Sequence, residues 1–275
     1  MDFIIYFNKK STLNILEGQL DLISNSFYKK YLFDNFQIGK VKFPKVLFGS
    51  SPFFGAGQFK ERSMIYHNKF YLNPPNITQL YQESILRGLN AIHVPSDPVI
   101  IHAIAEAIRS TFIDNFILAT VEGRNLQEEL TLCELIGAQS IIIHGSFTDD
   151  MPGSLTDVLR IIKRRFNDIP TGIATHSPGN IIPKVLGINE IDIILAPINS
   201  IGEFMLPNAD STLNAITKAR ETGKKIIAMK ALAAGRLRPM KAFEYLVDKV
   251  DGVVVGITSL QELDELLNAI GKYFG

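Results

Sequence analysis

The stretch NFILATVEGRNLQEELTLCELIGAQSIIIH (residues 115–144) reads as one complete strand–helix–strand unit. NFILAT (115–120) and QSIIIH (139–144) are short runs, apolar on both faces, which suits a parallel sheet covered by helices rather than a half-wet antiparallel one. Between them, 126–136 has helical period and runs into Gly137, where a left-handed C-terminal cap is expected. The same beat repeats outward. KVLFGS (45–50) and NAIHV (90–94) precede it, and TGIAT (171–175), IDIILA (191–196), KIIAMK (225–230) and GVVVGI (252–257) follow. Helical segments 76–87 and 211–222 stop at Gly88 and Gly223 in the same way. Eight strands alternating with eight helices predict a (β/α)8 TIM barrel, closed and right-handed. A doubly wound open sheet is the rival. It usually has fewer strands and a Gly-rich first turn, and the chain contains no G-x-G-x-x-G.

The barrel is expected over 45–275, with residues 1–44 as an N-terminal extension. Residues 11–31 read as an amphipathic helix starting at Ser11, and 32–44 as a hairpin closing the barrel floor. The loop after the first strand, 51–75, is long and aromatic, with Phe53, Phe54, Phe59, Tyr66, Phe70 and Tyr71. Loops of that length are usually functional or disordered. We read it as a lid over the pocket; a homo-oligomer contact is the competing reading, because aromatic clusters favour interfaces.

At 275 residues, the chain is of normal length for one such barrel, and 46% hydrophobic residues fill a large core. Lys+Arg 28 balances Asp+Glu 28, which disfavours nucleic acid as a partner. The single Cys133 cannot form an internal disulfide and points to a cytoplasmic location. No apolar stretch approaches the roughly 20 residues a membrane helix needs. A small molecule is the expected partner.

Three strand-like runs end in histidine: AIHV at His93, IIIHG at His144 and GIATH at His176. Barrel strands deliver their C-terminal ends to one face, where chemistry is done. Glu122 follows the strand 115–120, while Asn199 and Lys230 end later strands, so the rim is unusually polar.

The chain also resembles the aldo/keto reductase superfamily. GIATHSP (172–178), IDIILAPIN (191–199), KKIIAMKALAAGRL (224–237) and VVVGITSLQELDELL (253–267) carry the likeness in the second half. FPKVLFGSSPFFG (43–55), GLNAIHVPSD (88–97), FILATVEG (116–123) and IGAQSIIIHG (136–145) extend it to about residues 35–270. MKALAAG is similar to the seventh-strand ending of the iron–sulfur-type members. The family reduces carbonyls with a nicotinamide cofactor and a tetrad of aspartate, tyrosine, lysine and histidine, the tyrosine donating the proton. Here His93 falls at the aspartate position, Pro98 at the tyrosine and Val121 at the lysine; only His144 matches. The usual carbonyl reduction therefore lacks its acid.

For the cofactor, the resemblance implies contacts from Thr175 and Asn199 to a carboxamide. It places Ala233, Gly235, Arg236, Thr258, Ser259 and Glu265 along NAD(P). Gly256 and Glu262 stand where cations would meet a 2′-phosphate, and Leu266 replaces an amide, so NADPH specificity is not supported. Thr258 and Ser259 offer hydroxyls and free N–H groups to a phosphate at the start of the last helix, with Arg236 to hold the anion. The plain alternative for Ser259 is a helix N-cap.

Several chemistries fit this rim. His93, His144, His176 and Glu122 form a candidate set for a divalent transition metal with an open position for water. Without metal, His93 and His144 act as acid and base, Glu122 orients one of them, and Lys230 is a candidate Schiff-base nucleophile. A divergent NAD(P)-dependent reductase with an imidazole as proton donor is the alternative, and a non-catalytic binding barrel the third reading. Asp97 reads as an N-cap before Pro98, His102 as a surface residue, His67 as a loop residue near the pocket, Asp149 and Asp150 as a solvated turn, and Cys133 as a packing residue.

Overall fold

The computed structural model describes residues 34–150, 152–167 and 169–275. The 11–31 helix lies outside them. Eight parallel strands close a barrel: β3 (Val46–Gly49), β4 (Ala91–Pro95), β5 (Phe116–Val121), β6 (Ser140–Ile143), β7 (Thr171–Ala174), β8 (Ile193–Pro197), β9 (Lys225–Met229) and β10 (Gly252–Gly256). β10 returns to β3 in register, Val253 opposite Val46 and Gly256 opposite Gly49. No Cβ fits at Gly49, where it would lie 2.9 Å from the Gly256 nitrogen.

Alternate residues of each strand face opposite ways, and both sides are apolar, as a parallel barrel requires. Leu47, Ala91, Leu118, Ile142, Ala174, Ile193, Leu195, Ile227 and Val254 fill the inside. Val46, Phe48, Ile92, Ala119, Ile141, Ile194 and Val253 belong to the larger layer under the helices. The helix Leu126–Ile136 ends at Gly137 with φ 72°, and Gly88 and Gly223 hold φ of 91° and 82° beyond the helices Pro74–Leu86 and Ala209–Glu221. The glycine stops therefore lie where the helical period ends.

Below the barrel, β1 (Asn35–Ile38) and β2 (Val41–Pro44) form an antiparallel hairpin. Phe43 from that hairpin is fully buried with the inward residues, stacked on Phe36 at 5.0 Å and edge-on to Phe116 at 4.6 Å. The floor is thus closed by aromatic rings, which leaves the opposite mouth for solvent.

The segment after β3 has structure of its own: a 3-10 turn (Gly57–Phe59), a short helix (Arg62–Tyr66) and a π-helical turn (His67–Tyr71). Phe53 and Phe70 are buried against each other, with Phe53 also packed on Phe48. The aromatic content of 51–75 is therefore partly core. The outer face carries Met64, Ile65 and Leu72 exposed. Two side chains latch the segment across the mouth: Arg62 donates to the Ala234 carbonyl at 2.6 Å and Lys69 to the Thr258 carbonyl at 2.7 Å.

Asp97 caps the helix Pro98–Thr111, accepting from the Val99 and Ile100 N–H groups at 3.0 Å each, with Pro98 inside the first turn. His102 lies exposed on that helix, and Cys133 is buried, its thiol pushed up to about 12 chiefly by burial. Asp149 corrects the solvated-turn expectation, whereas Asp150 is exposed to solvent as expected, although at a helix end. They close a helix, Gly145–Asp150, and Asp149 is half-buried and fully engaged. Among the described residues, no helix is long and apolar enough to cross a membrane.

Candidate active site

A cavity of about 790 Å³ opens at the C-terminal ends of the strands. Its roof is the 51–66 segment through Phe54, Phe59, Arg62 and Tyr66, and its floor is the barrel interior through Ala174, Leu195, Met229 and Val254. His93, His144, His176, Glu122 and Lys230 all line it. Separate strand ends thus bring the predicted imidazoles into one chamber.

Each histidine is held differently. His93, in β4, pairs through Nε2 with the Oγ1 of buried Thr120 at 2.5 Å, across the β4–β5 ladder. His144 follows β6, its backbone N–H bonded to the Val121 carbonyl at 2.8 Å. Its ring Nδ1 accepts from the Ser146 N–H at 3.2 Å and lies 2.8 Å from the Ser146 hydroxyl. A backbone N–H can only donate, so Nδ1 carries the lone pair and a neutral His144 bears its proton on Nε2. His176 follows β7 and meets His144 edge-on, ring centroids 5.6 Å apart. It also lies over Gly145, where a Cβ would come 3.1 Å from its Nε2. Its Nδ1 is buried with no hydrogen-bond partner among the described residues.

Burial sets the charge state. It lowers His93 to about 4, with His144 assisting. It lowers His176 to about 4 as well, with Lys230 and His144 adding to the effect and Asp149 opposing. His144 is lowered by burial against the pull of Glu122 and Asp149. All three imidazoles are neutral at neutral pH, the form that accepts or relays protons.

Asp149 organises this corner. Its Oδ1 accepts from the Thr175 hydroxyl at 2.5 Å and its Oδ2 from the His176 backbone N–H at 2.9 Å. Lys230 ends β9 in a left-handed backbone conformation, φ 53°, with Nζ over the Phe204 ring at 4.9 Å from its centroid. Burial lowers its pKa, partly offset by Asp149.

The metal set does not form. Among the described residues, no group of three or more His, Cys, Asp or Glu side chains is placed to hold an ion. The physical reasons are local. His93 spends Nε2 on Thr120 and His144 spends Nδ1 on Ser146, while Glu122 is exposed and paired with Arg124 at 3.3 Å.

The cofactor positions divide. Gly235, Thr258 and Glu265 line the cavity, whereas Thr175, Asn199, Ala233, Arg236 and Ser259 do not. Thr175 is committed to Asp149. Buried Asn199 donates to the Glu203 and Lys230 carbonyls and accepts from the Ile201 and Glu203 N–H groups, so its amide ties a loop together. Arg236 is paired with Glu203 at 2.7 Å. Ser259 caps the helix Leu260–Tyr273, accepting from the Glu262 N–H at 3.2 Å.

Glu262 decides the phosphate question. One carboxylate oxygen accepts from both the Thr258 N–H, at 2.6 Å, and the Thr258 hydroxyl, at 2.9 Å. Ser259 in turn accepts from the Glu262 N–H, so the start of the helix is closed by its own side chains. The Thr258 N–H and hydroxyl are thereby taken by the chain's own anion, which also repels a second one at the start of this helix. Glu265 is gripped by Arg238 at 2.8 and 3.1 Å, and the Arg62 guanidinium lies against Gly235, where a Cβ would come 3.2 Å from it. With the carboxamide residues engaged elsewhere, these side chains do not fit the nicotinamide dinucleotide that the fold implies.

Sequence reasoning missed Thr120, Ser146, Phe204 and the latch residue Arg62. Ser146 had a local signal, standing two residues after His144 where its N–H can turn back on the ring; the others meet the site only through tertiary packing.

No family model matches the chain, and no curated protein matches it in sequence. Solved structures do match. A protein of Pseudomonas aeruginosa assigned as an aldo-keto reductase aligns with TM-score 0.65 and 16% identity, covering 90% of this chain and 96% of its own. The holo form of an aldo-keto reductase from Bacillus halodurans gives 0.62 and 13%, covering 86% and 91%. The glycerol dehydrogenase of Gluconobacter oxydans gives 0.58 and 11%, covering 86% and 90%. The likeness is one of fold: the chain shares the closed (β/α)8 barrel of these structures.

Proposed function

We propose that this protein is a small-molecule enzyme working by histidine acid–base catalysis, without a nicotinamide cofactor or a bound metal. The observation that carries the reading is the meeting of His93, His144 and His176 in one roofed cavity. In this reading, His144 presents an Nε2–H because Ser146 holds Nδ1, and it stabilises the substrate oxygen by donating a hydrogen bond as charge develops there. His176, with an unpartnered Nδ1 beside it, and His93, hydrogen-bonded to Thr120, are the proton acceptors. The roof limits water, so a proton removed from substrate passes between imidazoles rather than to solvent. Lys230 supplies a cation, or a neutral amine, at the same wall. The carboxylates of Glu262 and Glu265 disfavour a phosphorylated ligand at the far end of the groove.

Proton transfer on carbonyl-bearing molecules tests this. Small keto acids, aldehydes and sugars are incubated with the protein in D2O, and loss of the α-proton signal is followed by NMR. The wild type should exchange at least one of them, and His144→Gln should slow that exchange by about 10²- to 10⁴-fold. Exchange that is indifferent to His144→Gln and His93→Gln would sink the assignment.

A further inference from the structure

Lys230 stands apart from the other cations around the cavity. Arg62 is spent on a carbonyl, and Arg124, Arg236 and Arg238 are paired with Glu122, Glu203 and Glu265. The Lys230 ammonium has no hydrogen bond or ion pair among the described residues; what it touches is the face of Phe204. An aromatic face stabilises a cation less than a carboxylate does and blocks none of its lone-pair chemistry once the proton leaves. The backbone is also held unusually there. Lys230 at φ 53° and Phe204 at φ 65° are both non-glycine residues in the left-handed region. Such strain concentrates where a side chain must be aimed, and Asn199 secures both sites by bonding to the Lys230 and Glu203 carbonyls.

We propose that Lys230 is a nucleophile that forms an imine with a carbonyl compound in the cavity. It rests on the cavity being an active site, but not on which histidine moves the proton. The amine nitrogen attacks the carbonyl carbon and a C–N bond forms while the C=O π electrons move to oxygen. That oxygen accepts a hydrogen bond from the Nε2–H of His144 and takes the first of the nitrogen's two hydrogens, passed through a second imidazole. The nitrogen's second hydrogen follows the same route to the hydroxyl, which leaves as water as the C=N bond closes, so every imidazole ends neutral. Amine plus carbonyl becomes imine plus water, with no change of oxidation state. Burial lowers the cost of reaching the free amine, since it penalises the charged form. The ligand class is a small aldehyde or ketone without a phosphate group.

Reductive trapping tests it. The whole protein is incubated with propanal or with glyoxylate plus sodium cyanoborohydride at neutral pH, digested, and each lysine is scored by mass spectrometry. Alkylation of Lys230 should exceed that of any other lysine by about tenfold or more, because burial favours its free, nucleophilic amine. Lys230→Arg should lose that label while exposed lysines keep theirs, and Lys230→Gln provides a second variant should the first fail to fold. Uniform labelling, or no label on Lys230 with either probe, would overturn the proposal and leave an electrostatic role. Trapping without α-proton exchange would keep Lys230 and remove the histidine reading; exchange without trapping would do the reverse.

Discussion

His93 and His176 are each held near 4 against an ordinary value of 6.5, mainly because the barrel mouth strips water from them. Below pH 6.5 an unfolded chain takes up protons that the folded one refuses. These two residues therefore make stability fall as pH drops from about 6.5 to about 4, and contribute nothing to its slope above 6.5. Urea midpoints at pH 7 and pH 5 should show this, with His93→Gln flattening the difference between them; an unchanged difference would mean His93 is not buried neutral. The histidines were legible because each ends an apolar run. Their partners were not. Thr120 and Ser146 are ordinary hydroxyls in sequence, and Asp149 looks like a turn residue until Thr175 and His176 fold onto it. The metal expectation counted imidazoles and could not see that Thr120 and Ser146 hold ring nitrogens of His93 and His144.

The segment 51–73 is the element on which access depends. It is pinned from beneath by Phe53 and Phe70 and across the mouth by Arg62 and Lys69. Phe53→Ala should cost about 3–5 kcal/mol in chemical denaturation, the usual loss for a buried ring. A cost below about 1 kcal/mol would mean the segment is not anchored to the core. The helix Pro98–Thr111 offers a smaller, sharper case. Asp97 accepts two backbone N–H bonds, so Asp97→Ala should cost about 1 kcal/mol by the same measurement. That cap was readable from Asp97 and Pro98 alone, because capping is local. The roof was only half readable: its length and aromatic content set 51–75 apart, but which rings turn inward depends on Phe48, which packs Phe53, and on Tyr81 beside it.

For the whole molecule, the barrel was legible because its two periodicities, short doubly apolar strands and glycine-stopped helices, are properties of the chain itself. The dinucleotide was the weak inference, since it depended on what fills the groove beyond the barrel mouth. Glu262 and Glu265 stand there, one folded onto Thr258 and the other onto Arg238. Fluorescence titration with NADH and NADPH should accordingly show no binding below about millimolar, outside the range of ordinary enzyme substrates. Micromolar binding of either would restore the reductase reading. The convergence of the three imidazoles is best tested by a pH titration of the ring signals of His93, His144 and His176 by NMR. His93 and His176 should stay neutral until about pH 4, and His144→Gln should raise both, because His144 lowers each of them. Three independent titrations near 6.5, unmoved by that substitution, would show separate solvated side chains and contradict the site.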